Sequence, residues 1–369
     1  MTYNLITTCK LGFESVLKDE LHALGYQNLI VENGEISFKG NEEAIARCNL
    51  WLRTAERVLV QLAYFPATTF DQLFEGVSAL DWAGLMPQDG KIDVEDKCLN
   101  SQLMSGRTVQ SIVKKAIVEQ MKKKQGVDWI EESGPEFKIH AQILHDQVSI
   151  LLDSSGIGLH KRGYRAWAGE APLRETAAAA MVLLSNWKPE KPLYDPLCGS
   201  GTICIEAAMI GANIAPGLRR RFAAEDWPFI SADVWKKMRK EAESKISQSG
   251  MVIIGSDSDE KMIRLADGNA HKAGVEKLVR FERKSAEDFV TKEERGVVIT
   301  NPPYGERLED IASAEKIYKI LGNVFPLKKA WSYFILSPHS AFEKLFGRKA
   351  KKNRKIYNGK IKCYLYHFI

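Results

Sequence analysis

An apolar run of β-branched residues, Gly296-Val297-Val298-Ile299-Thr300, stops at Asn301-Pro302-Pro303-Tyr304, and that stop limits the fold more than any other feature of the chain. A short apolar run without alternation fits a strand covered on both faces, as in a parallel sheet. Two prolines fix φ and remove two backbone donors, so the strand must open into a rigid loop. In open α/β sheets, ligands bind beyond the carboxyl ends of the strands. A loop of this kind offers carbonyl acceptors in a fixed orientation; Asn301 adds a side-chain carbonyl and Tyr304 a flat face. Two acceptors beside a stacking plate suit an exocyclic amine of a nucleobase about to attack an electrophile. In isolation the tetrapeptide would read as an ordinary Pro-Pro turn.

It is not isolated. About a hundred residues upstream, Pro192–Leu197 reads as a strand that leaves into Cys198-Gly199-Ser200-Gly201-Thr202, after which Ile203–Met209 begins a helix. Glycines admit a ligand close to the backbone, and the helix start carries partial positive charge. The dinucleotide fingerprint lacks its third glycine, and no Gly-Lys-Ser/Thr follows to make a P-loop. Asp195, just ahead of the glycines, disfavours phosphate and favours a cation; the sulfonium and amino group of S-adenosylmethionine meet that demand. Met251–Asp257 is the next apolar run ending in a carboxylate, placed to accept both ribose hydroxyls, with Asp259 the better candidate for capping the helix that follows.

These motifs resemble the class I methyltransferases that modify exocyclic amines. More narrowly, His160-Lys161-Arg162-Gly163-Tyr164-Arg165, Ala171-Pro172-Leu173-Arg174-Glu175-Thr176-Ala177-Ala178-Ala179 and Asn213–Leu218 resemble the THUMP-domain RNA guanine-N2 methyltransferases, whose bacterial members act on large-subunit ribosomal RNA and, in a branch of the same architecture, on tRNA. Ala46–Ala55 and Asp81-Trp82 match less sharply. The resemblance implies an α/β, doubly wound class I methyltransferase sheet preceded by an α+β ferredoxin-like and THUMP region. The implied division is 1–45 (ferredoxin-like), 46–155 (THUMP) and 156–369 (methyltransferase), with a linker at 154–172. It also implies that Glu175 or Thr176 meets the amino-acid end of the cofactor. Many relatives place an Asp near the end of the third strand, where Ser285 stands here; Ser285 or the Ala286 backbone then meets the adenine, or Asp288 is the matching acid.

The pattern along the N-terminal half is mixed. Strands are expected at Tyr3–Thr8, Leu29–Val31, Glu35–Phe38, Arg57–Phe65, Ile92–Val94, Phe137–Leu144 and Gln147–Asp153, the last two joined by a turn at His145-Asp146. Helices are expected at Phe13–Leu24, Asn41–Leu52, Thr69–Leu80 and Thr108–Lys124, the last with Val109, Ile112, Val113, Ala116 and Ile117 on one face. After Tyr304, a helix at Ala314–Leu321, a strand at Trp331–Ser337 and a final strand at Ile361–Ile369 complete the sheet; in class I methyltransferases that final strand runs antiparallel.

A length of 369 residues suits two or three domains, and 45% apolar with 27% charged residues is the balance of a soluble globular chain. With no apolar run of about eighteen residues and no secretory leader pattern, a membrane span is not expected. Six dispersed cysteines without a C-x-x-C pair point to reduced thiols in a cytoplasm, and the scattered histidines to no metal. A net charge of +5 says little, but its distribution says more. Lys114-Lys115 and Lys122-Lys123-Lys124 share one helix, Arg219-Arg220-Arg221 form a second cluster and Arg348–Lys355 a third. Any one of them reads as a solvated face, whereas three around a transfer core fit a polyanion. The RNA-binding candidates are Lys114, Lys115, Lys122, Lys123, Arg219 and Arg220, with Arg162 and Arg165 of the linker.

The chemistry expected is in-line methyl transfer from a sulfonium to an amine. Asn301 and Pro302 accept from the amine and Tyr304 stacks on a base swung out of its helix or loop. Asp195, Cys198, Gly199, Gly201 and Thr202 line the methionine end and Asp257 the ribose. Two other readings compete: a DNA adenine or cytosine amino-methyltransferase, which shares the same tetrapeptide, and a non-catalytic RNA-binding assembly factor. Oligomeric state is not readable.

Overall fold

The structure, a computed structural model, describes residues 1–165, 173–247, 250–305, 308–325 and 330–369. Ala171 and Pro172 of the second motif, and part of the linker, lie outside the described residues. In the N-terminal half the chain forms β1 (Tyr3–Cys9), α1 (Glu14–Ala23), β2 (Ile30–Glu32), β3 (Glu35–Gly40), α2 (Glu42–Trp51), β4 (Ala55–Pro66), α3 (Phe70–Ser78), α4 (Trp82–Leu85), β5 (Lys91–Leu99), α5 (Gly106–Gln125), β6 (Glu136–Leu144) and β7 (Gln147–Asp153). The C-terminal half forms α6 (Glu175–Leu184), β8 (Leu193–Asp195), α7 (Thr202–Gly211), α8 (Ala232–Ser244), β9 (Ile253–Asp257), α9 (Glu260–Ala273), β10 (Arg280–Arg283) and β11 (Gly296–Thr300). It closes with α10 (Leu308–Val324), β12 (Trp331–Ser337), α11 (Phe342–Phe346), β13 (Lys352–Asn358) and β14 (Ile361–Phe368).

Two sheets result. The first runs β2-β3-β1-β4-β7-β6-β5 and unites the two N-terminal segments, because the long strand β4 pairs with β1 on one side and β7 on the other. Within it β6 and β7 meet through the expected tight turn, with His145 at φ 51° and Asp146 at φ 60°. Positive φ at both central residues matches the twist of the flanking strands. Helix α5 buries Val109, Val113, Ala116, Ile117 and Met121 and ends at Gly126, φ 68°, leaving its lysines toward solvent.

The second sheet runs β10-β9-β8-β11-β12-β14-β13, parallel from β10 through β12, with β14 antiparallel to β12. All five residues of β11 are buried, as an apolar run flanked by two parallel neighbours requires. Strand β13 was not expected: its first half overlaps the basic cluster Arg348–Lys355. Of its seven residues only Ile356 and Asn358 are buried, so the alternation is masked by the lysines that protect an edge strand from mispairing.

The halves interlock. Arg53 donates to the carbonyls of Ile214 (2.9 Å) and Met209 (3.5 Å), and the Gly217 N–H donates to Leu50 O at 2.9 Å. Arg53, Arg162 and Glu206 are all buried, with Arg162 3.5 Å from Glu206. Among the described residues no helix is long and apolar enough to cross a membrane, and no group of His, Cys, Asp or Glu is arranged to hold a metal.

Candidate active site

From β8 the chain steps outward through β9 to β10, then returns to lay β11 on the opposite side of β8. This reversal point is where an open sheet leaves a crevice. Asp257, Asp195 and Asn301 therefore stand at or just past the carboxyl ends of three adjacent strands. Thr300, the last residue of β11, donates its hydroxyl to Asp195 Oδ1 at 2.7 Å, and the Leu197 N–H adds a second donor at 3.2 Å. Asp195 is 2% exposed. Burial pushes its carboxyl up to about 7; the Thr300 hydroxyl and Leu197 N–H pull against that rise, and the nearby Asp257 charge adds to it. A carboxyl in that state gains most from a cation delivered to it.

The turn after β8 is built on positive φ at Gly199 (50°) and Gly201 (80°). A Cβ on Gly201 would sit 2.7 Å from the Phe281 ring and 3.0 Å from Ala266, whereas one on Gly199 would meet open space. Gly201 is thus packed and Gly199 faces the crevice. Asp257 holds the turn from the side: Oδ2 accepts the Gly199 N–H at 3.1 Å and Oδ1 the Asp259 N–H at 2.9 Å. Asp259 itself caps α9 by accepting the Lys261 N–H, as expected. Buried Asn269 donates to the Ser200 carbonyl at 3.0 Å, and the Cys198 N–H donates to Ser256 O at 2.9 Å. Cys198 is buried, and that burial pushes its thiol far up, toward the protonated form.

Beyond β11 the loop is pinned at two points. Tyr318 of α10 donates its hydroxyl to Pro303 O at 2.8 Å. Tyr304 donates to Asn301 Oδ1 at 2.7 Å and accepts from Asn358 Nδ2 at 3.3 Å. Burial pushes the Tyr304 hydroxyl far up, keeping it a protonated donor.

Other expected site residues go elsewhere. Glu175 opens α6, 3.7 Å from Arg165, but Thr176 donates to Glu56 of β4 at 2.8 Å and belongs to the joint between halves. Arg165 corrects its expected RNA role: it donates to Thr202 Oγ1 (2.7 Å) and Leu173 O (2.9 Å), at the start of α7. Arg162 is corrected likewise, being buried with its guanidinium on the carbonyls of Leu159 and Arg53. Arg220 spends its guanidinium on the carbonyls of Gly158 (2.9 Å), Lys161 (2.8 Å), Ser155 and Ile157 over the Phe222 ring, and burial lowers it to about 10. Lys114 pairs with Glu132 at 2.7 Å and donates to Ile92 O. Lys115, Lys123 and Arg219 are exposed, and Lys122 lies over the ring of Trp129, itself 75% exposed. Ser285 caps a short 3-10 turn by accepting the Glu287 N–H, and Ala286 is buried in the core.

Sequence reading missed Thr300, Asn358 and Trp129. Thr300 was visible as a polar residue ending an apolar run. Asn358-Gly359 is a hairpin signal that the surrounding lysines concealed.

The residues present fit S-adenosylmethionine: a buried carboxyl at Asp195, a glycine turn open at Gly199, and the Asp257 carboxylate with one protein donor on each oxygen.

Comparison with known proteins gives the same outline. The family model described as RMKL-like, methyltransferase domain, matches residues 162–367. The RlmL ferredoxin-like domain matches 4–59 and the THUMP domain 67–153. The chain is 48% identical to a protein of Bacillus subtilis named "Putative RNA methyltransferase YpsC", over 99% of this chain and 96% of that one. It is 34% identical to "Ribosomal RNA large subunit methyltransferase K/L" of Legionella pneumophila over 99% of its own length, spanning 53% of that longer enzyme. Among solved structures, SMU.472, described as a putative methyltransferase complexed with SAH, superposes with a TM-score of 0.93 at 45% identity, covering 100% and 98% of the two chains. A Listeria monocytogenes protein described as a predicted N6-adenine-specific DNA methylase superposes at 0.95 with 44% identity, covering 100% and 96%.

Proposed function

The chain belongs to the RMKL-like methyltransferase family, and from that premise we propose that it transfers a methyl group to the exocyclic N2 of a guanine in large-subunit ribosomal RNA. The cofactor is S-adenosylmethionine, which supplies an electrophilic methyl on sulfonium. The observation that carries the reading is the pair of acceptors, Asn301 Oδ1 and the Pro302 carbonyl, at the tip of the strand beside Asp195.

An aromatic amine is a poor nucleophile because its lone pair is delocalised into the ring. Two hydrogen bonds from its N–H groups to Asn301 and Pro302 localise that pair and fix the nitrogen in line with the methyl, the larger effect. The N–C bond forms as the C–S bond breaks, and the surplus proton leaves to solvent. Asp195 holds the cofactor's ammonium and Asp257 its ribose hydroxyls, each Asp257 oxygen keeping a lone pair beyond its protein donor. Cys198, Gly199, Gly201 and Thr202 form the wall at the methionine end. Arg165, bonded to Thr202 and 3.7 Å from Glu175, is the cation for the cofactor's carboxylate. Ser285 and the Ala286 backbone would meet the adenine.

Lys115, Lys122, Lys123 and Arg219 form the polyanion contacts, with Trp129 as a stacking face. Of the expected division 1–45, 46–155 and 156–369 we keep the last boundary; the first falls inside α2, and the segments matched at 4–59 and 67–153 share one sheet. All six cysteines are free thiols, which fits a cytoplasmic protein.

The test is transfer of labelled methyl to ribosomal RNA, tRNA and DNA, with nucleoside mass spectrometry of the product. N2-methylguanosine in ribosomal RNA is the expected product, and Asn301→Ala lowers kcat about 100-fold with SAH affinity unchanged. Label in DNA adenine, the reading that the Listeria relative's description favours, overturns the proposal. So does full activity of Asn301→Ala.

A further inference from the structure

An amide side chain has nearly the same shape with its oxygen and nitrogen exchanged, and only hydrogen bonds decide which end faces a ligand. At Asn301 that choice is critical. With the oxygen forward, the residue accepts from a substrate amine; flipped, it would set donor against donor. The Tyr304 hydroxyl, 2.7 Å from Asn301 Oδ1, has one proton and spends it there. A proton can be given only to the oxygen end, so while the hydroxyl donates to Asn301 the amide stays oxygen-forward.

The hydroxyl has other places to send its proton. The Cys363 thiol of β14 lies within reach of the same oxygen. Asn358 narrows that choice: its Nδ2 donates to the Tyr304 oxygen at 3.3 Å, so from that direction the hydroxyl accepts and its proton is left for another partner. Asn358 is 8% exposed and ends β13, where Gly359 (φ 62°) turns the chain so that Asn358 pairs with Ile361. The β13–β14 hairpin thus carries an amide from the far edge of the sheet to the loop after β11, with β12 and β14 lying between.

We propose that Asn358 is a positioning residue of the transfer site: acting through the Tyr304 hydroxyl, it fixes which end of the Asn301 amide meets the substrate amine. This rests on the amine-transfer reading of the loop and adds a residue that contacts neither substrate nor cofactor.

The decisive variant is Asn358→Asp, equal in size but carrying a carboxylate that accepts where the amide donates. It draws the Tyr304 proton toward itself and frees Asn301 to flip. Measured on the full chain with RNA and labelled cofactor, Asn358→Asp lowers kcat about 10-fold, while the RNA KM and SAH affinity stay at wild-type values and the melting temperature falls with the burial of a carboxylate. Asn358→Ala, which removes the donor without reversing it, lowers kcat about 3-fold. In a Tyr304→Phe background, neither substitution has a further effect, since the path runs through that hydroxyl.

Wild-type kcat in Asn358→Asp overturns the proposal, as does an equal loss in the presence and absence of the Tyr304 hydroxyl. Should Asn358→Asp fail to fold, the Asn358→Ala and Tyr304→Phe pair makes the same measurement: additive losses refute, non-additive losses support. Asn301→Ala separates the two claims. If it is inactive while Asn358 variants are normal, only the positioning role falls; if it is active, the reading of the whole loop falls.

Discussion

Replacing Thr300 by Val tests the electrostatic centre of the site without changing its shape. Asp195 is held at about 7 instead of near 4, so the folded protein carries a carboxyl that resists ionising. The sign follows from linkage. Between the unfolded value and 7, the folded state binds a proton that the unfolded state has lost, so stability falls with rising pH and levels off above 7. The fall amounts to about 4 kcal/mol. Binding of an ammonium requires the ionised carboxyl. Cofactor affinity therefore rises up to about tenfold per pH unit below 7 and falls again where the cofactor's own amino group deprotonates, near 8. The Thr300 hydroxyl stabilises the ionised form by a hydrogen bond to charge, about 1.5–3 kcal/mol, or roughly one to two pH units. Calorimetry of SAH binding from pH 5.5 to 9 reads this directly. In Thr300→Val the acid limb moves up by about one to two units, the alkaline limb stays, and affinity at pH 7 drops about 5- to 50-fold. An acid limb that does not move, or affinity flat across pH 5.5–7, refutes the assignment of Asp195 to the ammonium.

Three further outcomes are expected. Gly201→Ala places a methyl 2.7 Å from Phe281 at φ 80°, costing about 2–5 kcal/mol between backbone strain and overpacking, seen as a lower melting temperature and lost SAH binding. Lys122→Gln with Lys123→Gln reduces the slope of log affinity against log salt for RNA by about 1.5, with kcat at saturating RNA unchanged. Glu56, despite a burial that pushes its carboxyl up, is held down to about 2 by His160, Thr176 and Arg174. The stability this provides is present above the ordinary carboxylate value and is lost as pH falls toward 2. Glu56→Gln is accordingly destabilised by about 3 kcal/mol at pH 7, and the gap from wild type closes in melts below pH 4.

Much of the C-terminal sheet was legible because its strands are covered on both faces and read as uninterrupted apolar runs, each ending in a polar signal: Asp195, Asp257, Asn301. The helix cap at Asp259 and the His145-Asp146 turn were legible for the same reason, since local chemistry decides them. What could not be read is set by distant partners. Arg162 and Arg220 look like a polyanion's contacts, and only their carbonyl acceptors, brought in by the fold, turn them inward. The merging of two N-terminal segments into one sheet depends on β4 pairing with strands some fifty residues before it and ninety after it, which periodicity does not encode. Asn358 lay hidden because β13 hides its alternation under lysine.

The buried trio Arg53, Arg162 and Glu206 straddles the boundary between the two halves. Parting the halves would take Arg53 away from the buried Arg162–Glu206 pair and from its carbonyl partners in the C-terminal half, a cost of several kcal/mol. On the function proposed above, a joint that resists parting holds the lysines of α5 at a set span from Asn301, as a ruler would. A nucleotide would then become a target when the architecture of its RNA sets it one such length from that helix, so that geometry selects it as much as its letter.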